Sequence, residues 1–138
     1  MKGIAMNKQI FVNLAVKNLE KSKAFYGALG YTFNPQFSNE QGACVVVSED
    51  SIYVMLLAED FIKTFTDKTI VDAHEATSAL ITLSCASQEE VDGLVAKAVA
   101  AGGKAPRPPE DFGFMYTDGF EDPDGHGWGL AYMRGAPT

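Results

Sequence analysis

Alternation of aliphatic and mixed positions predicts the first strand, and a helical spacing follows it. In "QIFVNLAV" (residues 9–16) every second side chain is aliphatic, whereas Phe11 and Asn13 lie on the other face. Asn18 is a suitable N-cap for "LEKSKAFYGALG", and Gly30 suits the position just after the helix. Three strand-like runs come next, "YTFNPQF", "ACVVV" and "IYVMLL". The first part of the chain therefore has the order β-α-β-β-β.

The same order returns after a polar connector. Within residues 58–78, only Phe61, Ile62 and Phe65 have the spacing of a short amphipathic helical piece. "SALITLSCA" then alternates, Ser87 and Glu90 form a capping box, and a stripe of valines and leucines predicts a second helix. Three strand candidates follow, "GKAPRP", "FGFMYT" and "GWGLAYM", of which the proline-rich first one is at best an edge strand.

This repeat predicts an α+β fold built as one domain over residues 1–138. Two βαβββ modules, at residues 8–57 and 79–133, are joined by a linker at 58–78. Each module has one amphipathic helix, which can cover the aliphatic face of its sheet. The opposite faces are neither aliphatic nor highly charged, which favours a cleft or a partner surface over simple exposure. The residues predicted to line that cleft are Phe11, Asn13, Tyr53, Met55, Leu80, Thr82, Ser84 and Gly129.

Composition narrows the choice of partner. A net charge of -7 argues against binding to nucleic acid or to an anionic membrane surface. No apolar run is long enough to span a bilayer, and the N-terminal "MKGIAMNKQ" lacks the apolar core of a signal peptide. Cys44 and Cys85 lie in apolar strand-like surroundings and are expected to be reduced thiols. These features predict a cytoplasmic protein whose partner is a small molecule.

Two stretches carry a resemblance to a known family. They are "VNLAVKNLEKSKAFYGALGYTF" (residues 12–33) and "FEDPDGHGWGLAYM" (residues 120–133). Together with the repeat, over about residues 8–133, the chain resembles the glyoxalase, bleomycin-resistance and extradiol-dioxygenase superfamily, also called vicinal oxygen chelate proteins. The resemblance implies paired βαβββ modules that form a partly open, barrel-like pair of sheets around a ligand cleft. It also implies a homodimer.

The resemblance further implies four inward positions that hold a divalent metal in the metal-dependent members. These positions here are Phe11, Met55, Leu80 and Gly129, none of which offers an oxygen, nitrogen or thiolate donor. We therefore expect no metal and no cofactor. His126 is expected to order its turn through backbone hydrogen bonds, and the acidic residues around it are expected to lie on a surface turn. His74, in the charged linker, is expected to be solvated.

Three functional hypotheses follow. The first is metal-free binding of a small organic molecule in an apolar cleft, for sequestration or resistance, with Asn13, Thr82 and Ser84 orienting it and Gly129 leaving room. The second is a metal-dependent lyase, isomerase or dioxygenase with a shifted site that uses His126 or Glu121. The third is a non-catalytic subunit whose cleft face binds another protein. Phe61 and Phe65 fit either a lid or a dimer contact.

Overall fold

Eight strands and three helices form the chain in the computed structural model, which describes residues 8–135. Most of the segment examined for a signal peptide, residues 1–7, lies outside the described residues, as do residues 136–138. The strands are β1 (Ile10–Val16), β2 (Thr32–Asn34), β3 (Gly42–Ser48), β4 (Ile52–Ala58), β5 (Ile81–Cys85), β6 (Glu110–Asp111), β7 (Met115–Glu121) and β8 (Gly127–Met133). The helices are α1 (Leu19–Ala28), α2 (Glu59–Ile62) and α3 (Gln88–Ala100).

The strands form two four-stranded sheets with the same topology. The first has the order β1-β4-β3-β2 and the second the order β5-β8-β7-β6. In each sheet the first strand pairs in parallel with the last, and the remaining pairs are antiparallel. The predicted α+β fold of two βαβββ modules is confirmed, with open sheets rather than a closed barrel.

Local capping chemistry sets the helix ends as predicted. The Asn18 side chain accepts a hydrogen bond from the backbone N–H of Lys21 at 3.0 Å, and α1 is followed by Gly30 with φ 103°. Ser87 Oγ accepts from the N–H of Glu90 at 3.0 Å at the start of α3. Helices α1 and α3 therefore each begin at a side chain that satisfies one of their unpaired N–H groups, whereas α2 follows Ala58 without a side-chain cap.

The strand predicted at "GKAPRP" was wrong. Only Lys104 forms a single bridge there, with Glu121, and the two-residue strand β6 lies further along at Glu110–Asp111. The physical reason is that three prolines, at 106, 108 and 109, have no N–H to give to a ladder. Proline also shortens the strand predicted at "YTFNPQF", since β2 ends at Asn34 and a short 3-10 turn begins at Pro35.

The two modules share one hydrophobic core, and α1 lies where they meet. Phe25 packs on Phe120 of the second module with ring centroids 5.9 Å apart, and Tyr26 packs on Trp128 at 6.0 Å. Gly103 allows this approach, because a Cβ there would lie 2.9 Å from the Phe25 ring. Both cysteines are free thiols, as predicted. No helix within residues 8–135 is long and apolar enough to cross a membrane.

Candidate ligand-binding site

A cavity of about 450 Å³ lies over the face of the second sheet that is turned away from its helix. We call it the sheet cavity. Three of the predicted cleft residues line it: Leu80, Thr82 and Gly129. Its other wall is the proline-rich segment that contains Arg107, together with Glu110 at the start of β6. The sequence missed this wall, because "GKAPRP" was interpreted as a strand within the sheet.

The floor of the sheet cavity is a row of small residues across three strands. Thr82 pairs with Gly129, and Gly129 pairs with Gly119. A Cβ at Gly129 would lie 2.6 Å from Thr82 Oγ1, so the threonine hydroxyl already fills part of the space that the glycine was expected to leave. A Cβ at Gly119 would lie 2.6 Å from the carbonyl oxygen of Trp128, which is backbone and cannot move aside. The floor is therefore low and exposes peptide groups to the cavity.

Charged side chains surround this floor. Among the described residues, Arg107 is the one lining cation, while Glu110 and Glu121 are lining acids. Asp118 is also a lining residue, but its side chain shares the helix-facing side of β7 with Tyr116. No salt bridge within residues 8–135 pairs Arg107 with any of these acids. The lining thus carries an excess of negative charge that the protein itself does not neutralise.

The remaining predicted residues do not share the sheet cavity within one chain. Asn13 lines a second cavity, of about 340 Å³, between β1, the linker and the start of β5, which we call the junction cavity. Phe11 and Tyr53 stack on each other on the first sheet, with ring centroids 5.0 Å apart. Met55 lies on that same open sheet face, and Ser84 lies on β5 beyond the sheet cavity. The eight residues are therefore divided among three surfaces.

The prediction that the acidic residues around His126 lie on a surface turn is wrong for Asp122, which is buried. Its side chain is only 2% exposed, and its Oδ2 accepts a hydrogen bond of 2.6 Å from the hydroxyl of Tyr26. That hydroxyl in turn accepts from Nε1 of Trp128 at 3.0 Å. Burial raises the pKa of the Asp122 carboxyl, and burial followed by the neighbouring Asp122 charge raises the pKa of Tyr26 well above its ordinary value. This buried network lies at the contact of the two modules.

The rest of the turn ties the second module to the first. His126 donates its backbone N–H to Asp122 at 2.9 Å, which confirms the predicted role in ordering the turn. Its Nε2 lies 2.7 Å from the carbonyl oxygen of Ala15, and because a carbonyl only accepts, Nε2 carries the proton. Asp124 accepts from the N–H of Lys17 and from Ser22 Oγ. The turn is thus a structural connection between modules.

His74 also reaches this turn. It is exposed, as predicted, but its Nε2 lies 3.0 Å from the carbonyl oxygen of Pro123. The backbone N–H of His74 also donates to Asp72. The linker is therefore attached to the second module at this point.

The residues present do not fit the metal that the family resemblance implies. Of the four corresponding positions, Leu80 and Gly129 line the sheet cavity, and neither they nor Phe11 and Met55 carry a donor atom. In the part of the chain that the structure describes, no group of three or more His, Cys, Asp or Glu side chains is placed to hold an ion. His126, the candidate for a shifted ligand, directs its Nε2 at a backbone carbonyl instead.

Comparison with known proteins supports the sequence resemblance. The family model described as "Bleomycin resistance protein-like N-terminal" matches residues 8–48. A hypothetical protein, SA1046 from S. aureus, is 28% identical, with 95% of this chain and 96% of that chain covered and a TM-score of 0.77. Among curated proteins, no sequence matches the chain significantly.

Two more distant structures share the fold. A glyoxalase/bleomycin resistance protein/dioxygenase family enzyme from Burkholderia phytofirmans PsJN is 18% identical, with coverage of 89% and 96% and a TM-score of 0.72. The fosfomycin resistance protein FosX from Listeria monocytogenes is 21% identical, with coverage of 94% and 91% and a TM-score of 0.65. The fold is thus that of the glyoxalase, bleomycin-resistance and dioxygenase class. The chain is therefore similar to proteins of this vicinal oxygen chelate class in its N-terminal sequence and in its fold.

Proposed function

We propose that the chain binds a small organic molecule with an apolar body and a positively charged amine in the sheet cavity. The observation that carries the proposal is a cavity of about 450 Å³ with a low glycine floor and an acidic excess around it. Ligand sites for drug-sized molecules commonly have volumes of roughly 300–1,000 Å³. We propose Leu80, Thr82 and Gly129 as ligand contacts, together with Glu110 and Glu121, which sequence reasoning did not select.

The expected affinity follows from burial. Covering roughly 200 Å² of apolar ligand surface at about 25 cal/mol per Å² contributes about 5 kcal/mol before the cost of association. An amine close to Glu121 adds roughly 1 kcal/mol, because no salt bridge within residues 8–135 already occupies the Glu121 carboxylate. Together these contributions correspond to a Kd of roughly 40 μM at best, and the cost of association weakens the affinity further. The net charge of -7 also attracts a cation from a distance.

Sequestration of a toxic amine is the biological role we propose. The matched family model is described as bleomycin-resistance-like, and one structural neighbour is named a fosfomycin resistance protein. Sequestration requires only that the cavity bind the ligand tightly, and it needs no metal. This is consistent with the lack of metal-ligating side chains at the four inward positions. The two free thiols support a reducing compartment such as the cytoplasm.

We further propose that a second copy of the chain completes the sheet cavity. Phe11 is 46% exposed and Leu80 is 73% exposed, so both sheets present large apolar side chains that no residue within 8–135 covers. The family resemblance implies a dimer. If the first sheet of one copy faces the second sheet of the other, Phe11, Tyr53 and Met55 join the ligand contacts. Light scattering with purified protein tests this, since Phe11→Ala should weaken the dimer and a monomer at all concentrations would refute it.

Trp128 makes ligand binding directly measurable. It is the single tryptophan of the chain, and it is a lining residue whose ring packs on the core-facing side of the same sheet, against Phe120 and Tyr26, so we expect its fluorescence to change when the cavity is occupied. Titration with N-methylbenzylamine should give saturable quenching or a spectral shift, and benzyl alcohol should bind more weakly. Glu121→Gln should lower the affinity for the amine roughly fivefold, whereas Glu89→Gln on the exposed side of α3 should leave the affinity unchanged. Equal affinity for amine and alcohol would contradict the acidic site.

Two further measurements complete the test. Leu80→Ala should weaken binding roughly fivefold through lost apolar contact, with Val99→Ala on α3 as the matched control. Elemental analysis of protein purified without chelators addresses the metal-dependent alternative. One equivalent of tightly held transition metal per chain would overturn the metal-free proposal.

A further inference from the structure

We propose that the junction cavity is a second binding site, specific for small uncharged molecules that carry an amide group. Its volume is about 340 Å³. Its lining residues differ in charge from those of the sheet cavity, although Gly127 lines both. Of the eight residues that the sequence predicts as ligand contacts, only Asn13 lines the junction cavity. Three of its properties define the ligand: its charge, its hydrogen-bonding groups and its apolar walls.

Within residues 8–135, no Asp, Glu, Lys or Arg side chain lines the junction cavity. An ionic ligand entering it would lose hydration without gaining an opposite charge, which is strongly unfavourable. Among the described residues, the one lining side chain that can carry a charge is His126, and its Nε2 donates to the carbonyl oxygen of Ala15. The cavity therefore selects against ions of either sign, whereas the sheet cavity favours cations.

The free edge of β1 supplies main-chain hydrogen-bonding groups. β1 is an edge strand, and in a strand the backbone groups of successive residues point to opposite edges. The N–H of Ile10 donates to Ser51 on the β4 side, so the odd-numbered residues point away from β4. The carbonyl of Ala15 follows this rule, because it accepts from His126. The N–H and C=O of Asn13 consequently face the free edge, where they line the cavity.

An amide is the functional group that matches this edge. A secondary amide has one donor and one acceptor, which is the complement that an added strand presents to an exposed edge. The Asn13 side chain adds a second donor and acceptor pair, and it makes no hydrogen bond to another residue within 8–135. These groups favour an amide over an ester or an ether, which offer acceptors only.

Apolar walls bind the rest of the molecule. Leu14 of β1 and Ile81 of β5 form one side, and Ile62, Ile70 and Ala76 form the other. The second side consists of α2 and the linker, so the connector between the modules closes this cavity. A ring or short alkyl chain beside the amide would be buried there.

NMR with a matched pair of probes tests the proposal. N-methylbenzamide and N-methylbenzylamine differ only in a carbonyl oxygen and in charge. In amide-resolved spectra of the isotope-labelled chain, the benzamide should shift the resonances of Asn13 and Ala15 saturably. The benzylamine should leave them unmoved and shift Gly119 and Gly129 instead. No saturable shift at Asn13 and Ala15, or a benzamide response centred on Gly119 and Gly129, would overturn the junction site.

Variants check the location independently. Asn13→Leu should weaken benzamide binding roughly 3–10-fold through loss of a neutral hydrogen bond. Ala76→Leu should abolish it by filling the cavity, while Ala96→Leu on the exposed side of α3 should have no effect. Benzamide binding that survives both Asn13→Leu and Ala76→Leu would refute the site. If the amine does not bind at the sheet cavity, the results expected for benzamide at the junction cavity are unchanged. The two proposals can therefore be refuted separately.

Discussion

Removing the hydroxyl of Tyr26 is the most direct test of the buried network between the modules. Tyr26→Phe keeps the ring between Phe25 and Trp128 but deletes the donor to Asp122 and the acceptor for Trp128 Nε1. Two buried polar groups then lose a partner. Leaving a buried group unpaired costs about 1–3 kcal/mol, and a carboxylate is at the upper end of that range. Asp122 keeps the donors of Asp124 and His126, so we expect a total loss of about 2–4 kcal/mol.

Urea denaturation, followed by the fluorescence of the single tryptophan, measures this loss as a fall in midpoint at unchanged slope. Tyr31→Phe is the matched control, because the Tyr31 hydroxyl makes no hydrogen bond to another residue within 8–135, and its cost should stay within about 0.5 kcal/mol. If both variants lose the same small amount, the network does not stabilise the contact between modules.

The same variant has a pH signature. The pKa of Tyr26 is raised above the ordinary 10.0, so above that pH the unfolded chain releases a proton that the native state retains. The stability that this group contributes is complete below pH 10.0 and is lost as the pH rises towards the folded pKa. Tyr26→Phe should therefore lose less stability than the wild type between neutral and alkaline pH. An identical alkaline slope in both proteins would contradict the assignment.

Three other outcomes follow from the structure. Because the pKa of Asp122 is raised from 3.8, the stability of the wild type relative to Asp122→Asn should fall as the pH rises through the folded pKa, measured by urea midpoints at a series of pH values. Gly119→Ala should destabilise the protein by about 1–3 kcal/mol, because the added Cβ would clash with the Trp128 carbonyl oxygen. Gly93→Ala in α3 has open space around it and should stabilise the protein by about 0.5–1 kcal/mol. Thermal unfolding measures both variants. Asp124→Ala should cost about 1–3 kcal/mol because it removes two hydrogen bonds to the first module, and a loss below 0.5 kcal/mol would contradict the proposed connection.

Local rules are sufficient to predict the elements whose ends depend on neighbouring residues. Asn18 and Ser87 cap helices because a side-chain oxygen three residues from a free N–H satisfies it whatever else the chain does. Period-two alternation located the strands, and the repetition of the whole order revealed the paired modules. Because proline cannot donate a hydrogen bond, the same local rules limit "GKAPRP" to an edge strand at best. They do not predict that this segment forms a wall of the sheet cavity.

The burial and the grouping of the candidate functional residues could be determined only from the three-dimensional structure. Asp122 belongs to a turn that looks exposed in sequence, but it is buried because a tyrosine from the other module, almost a hundred residues earlier, donates to it. The eight inward residues have one common periodicity, yet they separate onto three surfaces because the modules meet through α1 rather than face to face within one chain. Periodicity fixes which side of a strand a residue occupies. What lies opposite that side depends on contacts between distant segments, which no local pattern specifies.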